Sequence, residues 1–150
     1  MKKTVLTLFA AIAIISAAFS QNYKTGFGLL VDVGEGATFV GPHIKHFFTP
    51  EIAGQGLVMF ASGVTVVGVE GSYNGQIPGA AGLSWNVGVG PQALIGKNKT
   101  LFALRPSAGV EFSVPKAPIN LGFDWRPSLV FVEGTNFTPG RFGIFLRYTL

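Results

Sequence analysis

The chain has 150 residues, 21 of them glycine, no cysteine and a formal net charge of +4. That length supports one domain with a real core, and the lack of cysteine excludes a disulfide framework and thiolate metal sites. Charged residues at 12% against 48% hydrophobic ones exclude a disordered chain, and also a nucleic-acid binder, which needs far more Lys and Arg.

At the N-terminus, Lys2 and Lys3 precede an apolar run from Val5 to Ile15 that is too short to span a bilayer, and residues turn small from Ser16 to Ser20. This is the pattern of an export signal, with Ala18-Phe19-Ser20 suited to a signal peptidase and the cut expected after Ser20. Residues 1–20 are assigned to a signal peptide and 21–150 to a single domain. Removing the signal discards two lysines, so the sequence pI of 9.6 overstates the charge of the mature chain. The mean hydropathy of +0.45 raises the question of membrane helices. No uninterrupted apolar run of about 18 residues follows Gln21, which excludes them.

What recurs instead is alternation at period 2, bounded by turn residues. Eight strands are predicted, at about 23–33, 37–48, 52–62, 65–77, 81–95, 101–114, 119–132 and 141–150. Leu83, Trp85, Val87 and Val89 oppose Ser84, Asn86, Gly88 and Gly90. Phe102, Leu104, Pro106, Ala108, Val110 and Phe112 oppose Arg105, Ser107, Gly109, Glu111 and Ser113. Ile119, Leu121, Phe123 and Trp125 oppose Asn120, Gly122, Asp124 and Arg126, and the chain ends with Phe142, Ile144, Leu146, Tyr148 and Leu150 on one face. The second and third strands alternate least cleanly, at His43 to Phe48 and Gly54 to Phe60. The connections are short and rich in Gly, Pro, Asn or charge, as hairpin turns require. The longest, Glu133 to Gly140, is read as an eight-residue loop.

One face of these strands is bulky and aromatic; the other is small and polar with a few charges. A bilayer demands that arrangement of a wall that is apolar outside and polar inside. Eight strands enclose a space that side chains alone can fill, and small inner residues relieve the crowding. The expected fold is therefore all-β, an eight-stranded antiparallel up-and-down transmembrane β-barrel. Its even strand number puts both termini on one side, the periplasm. Aromatic residues then form two belts, with Tyr73, Trp85, Phe112 and Tyr148 toward the periplasmic ends and Phe60, Phe102, Phe131 and Phe142 toward the outer ends.

A signal peptide, eight short strands and the ending Arg147-Tyr148-Thr149-Leu150 resemble the small outer-membrane β-barrel proteins of Gram-negative bacteria, of the OmpX and OmpA-barrel type. The phrases His43-Ile44-Lys45-His46-Phe47-Phe48, Ile77-Pro78-Gly79 and Pro118-Ile119-Asn120-Leu121-Gly122-Phe123-Asp124-Trp125-Arg126-Pro127 are similar to a subgroup of short barrels of this kind. The resemblance implies residence in the cell outer membrane as a monomer among outer-membrane lipid. It also implies recognition of the final strand by the barrel-assembly machinery, through Phe142, Ile144, Leu146, Tyr148 and Leu150. Leu150 departs from the pattern, since Phe is commonest there.

Strand parity places Glu70, Arg105, Glu111, Asp124, Arg126 and Arg147 inside the barrel, as a charge cluster in the lower half of the lumen. Hairpin pairing is expected to bring Glu111 near Asp124, and Arg126 near Arg147. Arginine suits this role because its fork binds two carboxylate oxygens and stays charged. Nearby arginines would hold both carboxylates ionised, which argues against an acid/base pair. No metal is expected from His43-x-x-His46, because residues three apart on a strand face opposite sides; Lys45 and His46 are assigned to the periplasmic interface. Gly26-x-Gly28 and Gly88-x-Gly90 lie within strands with no helix after them, so no nucleotide cofactor is expected. With no long outer loop, the expected role is structural, in envelope integrity and without enzymatic activity. The competing roles are a minor porin-like pore, a lipid-modifying enzyme and a soluble lipocalin-like binder.

Overall fold

The structure, a computed structural model, describes residues 23–132 and 134–150; the assigned signal peptide lies outside them. Ten strands follow in order: β1 (Thr25–Gly34), β2 (Phe39–Phe47), β3 (Ile52–Ala61), β4 (Val64–Gln76), β5 (Leu83–Gly96), β6 (Thr100–Ser113), β7 (Ile119–Trp125), β8 (Ser128–Phe131), β9 (Thr135–Thr138) and β10 (Arg141–Thr149). All pairings are antiparallel. β1 joins β10 from Gly26↔Thr149 to Gly34↔Arg141, which closes the sheet into a barrel.

The ten strands make eight staves. β6 pairs with β7 below and with β8 above in one continuous register, Ala108↔Trp125 and Leu104↔Leu129. Arg126-Pro127 interrupts that seventh stave, because proline has no N–H to give the ladder. β9 and β10 form the eighth stave, interrupted at Pro139-Gly140. Between Trp125↔Phe142 and Ser128↔Thr138 two residues face three, so the eighth stave carries a bulge there. The segment expected to be a loop, Glu133 to Gly140, thus contains β9. Its four residues are too short to show an alternation of their own and are held by pairing to β8. The turns are correspondingly tight. Ala61↔Val64 closes a two-residue turn, and Gly63 takes φ +74° there, a left-handed conformation that costs glycine nothing.

Below, "lower" denotes the end carrying Tyr23 and Leu150, and "upper" the opposite end. The wall is turned as the alternation predicts. Leu29, Val69, Ile144 and Leu146 are 53–61% exposed, and Phe123 and Trp125 also face outward. Each of the eight predicted belt aromatics lies on an outward position. Tyr73 and Trp85 meet at 5.9 Å in the lower ring, where Tyr148 also meets Phe27 at 5.7 Å. In the upper ring Phe102 pairs with Phe131 across β6 and β8, and Phe142 stacks on Phe123 at 5.5 Å. Phe27, Phe48 and Phe137 also face outward.

The inner face corrects one expectation. It is not made of small and polar residues alone, for Leu30, Phe39, Leu57, Met59, Val66 and Phe145 form an apolar cluster inside the barrel. Glycine still makes the room, at close approaches to bulky neighbours. A Cβ on Gly143 would stand 2.7 Å from Cδ of Arg126, and one on Gly122 would stand 2.8 Å from a ring carbon of Phe145.

Leu121 shares a register row with Leu146 and Leu29, and Val110 lies opposite Phe123. Leu121→Arg or Val110→Arg is expected to cost about 2–4 kcal/mol, the range for a cation on a lipid-facing wall near the midplane. Denaturant titration of refolding into lipid vesicles measures it; undiminished stability in either variant contradicts the face assignment.

Candidate functional site

Every charged side chain on a described strand is buried inside the barrel, whereas Lys24, Glu35, Glu51, Lys97, Lys99 and Lys116 lie in turns or at strand ends. The inner charges are Asp32, Glu70, Glu111 and Asp124 against Lys45, Arg105, Arg126, Arg141 and Arg147. They pair in three groups stacked along the barrel.

The lowest group centres on Glu111 of β6. Lys45 donates to one carboxylate oxygen, and Arg147 to the other at 2.8 Å. The Tyr23 hydroxyl donates to that second oxygen at 3.2 Å. Lys45 also donates to Asn74 Oδ1 at 2.5 Å, and Arg147 to Asn120 Oδ1 at 2.9 Å. The Arg147 guanidinium lies 3.8 Å from the centroid of the Phe145 ring, a cation–π contact strengthened by desolvation. His43 Nε2 contacts Gln55 Oε1 at 2.8 Å. Donation from Nε2 leaves the Nδ1 lone pair toward Arg147 Nε, 3.4 Å away. Tyr23, which precedes β1, is held as a neutral donor: burial and the Glu111 carboxylate push its phenol well above the usual range.

The middle group is Arg126, which bridges Glu70 of β4 and Asp124, the latter at 3.2 Å. Gln92 adds a donor to Glu70 at 3.2 Å. The upper group is Asp32 between Arg105 at 2.7 Å and Arg141 at 3.1 Å. Arg141 further donates to the carbonyls of Glu35 and Ala37, at 2.5 and 2.9 Å, and so ties the first upper turn to β10. Arg105 donates to the Arg126 carbonyl at 2.8 Å, a group that lies in the break between β7 and β8.

The six residues expected inside are all buried, and the ion pairs divide them among different groups. The register sets Glu111 opposite Gly122 and Asp124 opposite Gly109, so the two are diagonal neighbours on one inner face, but Glu111 bonds Lys45, Arg147 and Tyr23 while Asp124 bonds Arg126. Arg126 bonds carboxylates rather than lying against Arg147. The cluster is not confined to the lower half, since Arg105 belongs to the upper group. Lys45 is corrected outright: it is fully buried in the lumen and not at the periplasmic interface. Its neighbour His46 does sit at the lower rim, 2.8 Å from the Thr25 hydroxyl. Asp32, Lys45, Arg141, His43 and Tyr23 are network members that the sequence pattern did not mark. For Asp32 and Arg141 the signal was available, because each is an in-phase charge on a strand too apolar to carry one outward.

Glu70 Oε2, Gln92 Oε1, Arg105 Nε, Ser107 Oγ, Asp124 Oδ1 and Arg126 Nε have no protein partner. All belong to the wall from β4 to the seventh stave. The final-strand residues Phe142, Ile144, Leu146, Tyr148 and Leu150 lie together on the outer face.

No protein-family model matches the sequence, and no curated protein matches it either. Among solved structures, a chain from the de novo design of transmembrane β-barrels is similar, with a TM-score of 0.63 and 13% sequence identity. The match covers 88% of this chain and all of the designed one. At that identity the likeness is one of fold alone. The chain is a closed, eight-stranded antiparallel β-barrel of the transmembrane kind.

Arg126→Leu leaves Glu70 and Asp124 facing each other without a cation, and stranding a buried charge costs about 3–5 kcal/mol. Denaturant midpoints of refolded protein are expected to fall accordingly. A midpoint equal to wild type would show that the middle group does not hold the barrel together.

Proposed function

We propose that the protein is a small integral outer-membrane barrel that serves envelope integrity as a structural element, with its lumen plugged by its own side chains and no enzymatic activity. The observation that carries this reading is the sorting of charge. Strand charges are paired inside, the outer wall is apolar between two aromatic belts, and the described upper turns are too short to build a binding crown. His43 supports the non-enzymatic part, being buried between Gln55 and Arg147 in the lower lumen. A His-based triad for modifying lipid in the outer leaflet would need it near the upper end. The solvent-facing aromatics argue against a soluble lipocalin-like binder, whose large apolar residues would point inward.

In this reading the chain is exported by residues 1–20, delivered through recognition of the outward face of β10 by the barrel-assembly machinery, and remains a monomer in outer-membrane lipid. A minor small-solute pore is the second reading. It is favoured by the six unpartnered polar atoms on the wall from β4 to the seventh stave, which a file of water through the lumen would satisfy.

The refolded mature protein is expected to migrate differently on a gel before and after boiling, to co-fractionate with outer membranes, and to show no steady conductance in planar bilayers. An unshifted band or recovery in the soluble periplasmic fraction contradicts the membrane barrel. Steady conductance replaces the plugged lumen with the pore.

A further inference from the structure

Tyr23 precedes the first strand, yet its side chain is buried in the lower mouth of the barrel. The ring meets Phe47 edge-on at 5.2 Å, beside Ala53, and a Cβ on Gly26 would come within 3.2 Å of it. Immediately above lies Lys45, its Nζ 4.8 Å from the centroid of the Phe47 ring and bound to the same Glu111 that accepts from the Tyr23 hydroxyl. The backbone next to Tyr23 is anchored separately. Lys24 N donates to the Leu150 carbonyl at 3.0 Å, and Phe47 N donates to the Lys24 carbonyl at 2.8 Å. Rotation of this one side chain out of the mouth therefore breaks no pairing between staves. It gives up the ring's packing against Phe47, Ala53 and Gly26 and the hydroxyl's contacts with Glu111 and Arg147, but none of the backbone pairing that closes the wall, the kind of local opening that leaves the global fold intact.

We propose that Tyr23 is a retractable stopper of the lower mouth: seated, it seals the lumen from that side, and withdrawn, it admits water and small aqueous solutes to Lys45, Glu111 and Arg147. The proposal deepens the reading of the barrel as plugged by its own side chains and rests on it. It gives the fill a movable part at the lower end, whereas at the upper end Arg141 is bonded into the turn itself.

Lys45 reports the stopper directly, because it is fully buried behind Tyr23 while Lys24 and Lys116 are exposed at the same end. Purified barrel in detergent is treated with a small sulfonated acetylating ester, and each lysine is followed by mass spectrometry. In wild type, Lys24 and Lys116 react and Lys45 lags far behind them. Tyr23→Phe keeps the ring but loses a hydrogen bond to a charged group, so Lys45 acetylation rises by about tenfold or more. Tyr23→Ala raises it further, with Lys24 and Lys116 unchanged in both variants. If Tyr23→Ala fails to fold, as its gel shift reveals, Tyr23→Phe decides alone. Unchanged Lys45 labelling in the folded variants, or wild-type Lys45 reacting as fast as Lys24, overturns the stopper. Failure of the membrane-barrel reading is distinct, since it removes the gel shift of wild type itself.

Discussion

A strand that crosses hydrocarbon has nowhere to put a charge except the inside of a closed wall, and once inside, the charge must find a partner. Leaving one buried ion alone costs several kcal/mol, whereas a matched pair roughly breaks even against an apolar filling. The rest of this structure follows from that constraint. Closure through β1 and β10 removes the sheet edges that lipid could not satisfy. The lumen then has to accommodate carboxylates and cations from β1, β2, β4, β6, the seventh stave and β10. They divide into three groups, around Glu111, Arg126 and Asp32, each of which joins strands that are not sequence neighbours.

The same constraint explains where the glycines sit. Eight staves enclose little space, and the guanidinium stems are long. Gly143 stands where Arg126 passes β10, and Gly122 where the Phe145 ring lies. The apolar cluster of Leu30, Leu57, Met59 and Phe145 fills the remaining volume opposite the polar wall. The interior is thus divided by side, with apolar packing mainly from β1 to β4 and charge pairing mainly from β6 onward. In the break between β7 and β8 the Arg126 carbonyl is taken up by Arg105.

How much of this could be read from the residues varied with the regularity of each strand. Phe142 to Leu150 and Phe102 to Ser113 alternate so cleanly that face and inner charges follow from parity alone. β2 was opaque because Phe39 and Phe47 point inward, so hydrophobicity does not separate its two faces, and Lys45 passed for a rim residue. β9 was invisible because Thr135-Asn136-Phe137-Thr138 is too short to show a period and owes its extension to β8. Which cation meets which carboxylate was equally out of reach. Hairpin register fixes neighbours along the wall, but Lys45 with Glu111 and Arg126 with Glu70 meet across the lumen. Those meetings depend on how the whole sheet is sheared when it closes, a non-local property.

Orientation of the wall is the claim on which all else stands, and the absence of cysteine makes it directly measurable. The single substitutions Ile144→Cys, Phe145→Cys, Leu146→Cys and Tyr148→Cys, each spin-labelled in lipid vesicles, can be read for collision with oxygen, which concentrates in hydrocarbon, and with a water-soluble nickel chelate. The account predicts oxygen contact at positions 144, 146 and 148, with neither collider reaching 145 between them. A flat profile, or nickel contact strongest at positions 144 and 146, would contradict a barrel that turns its apolar face to lipid.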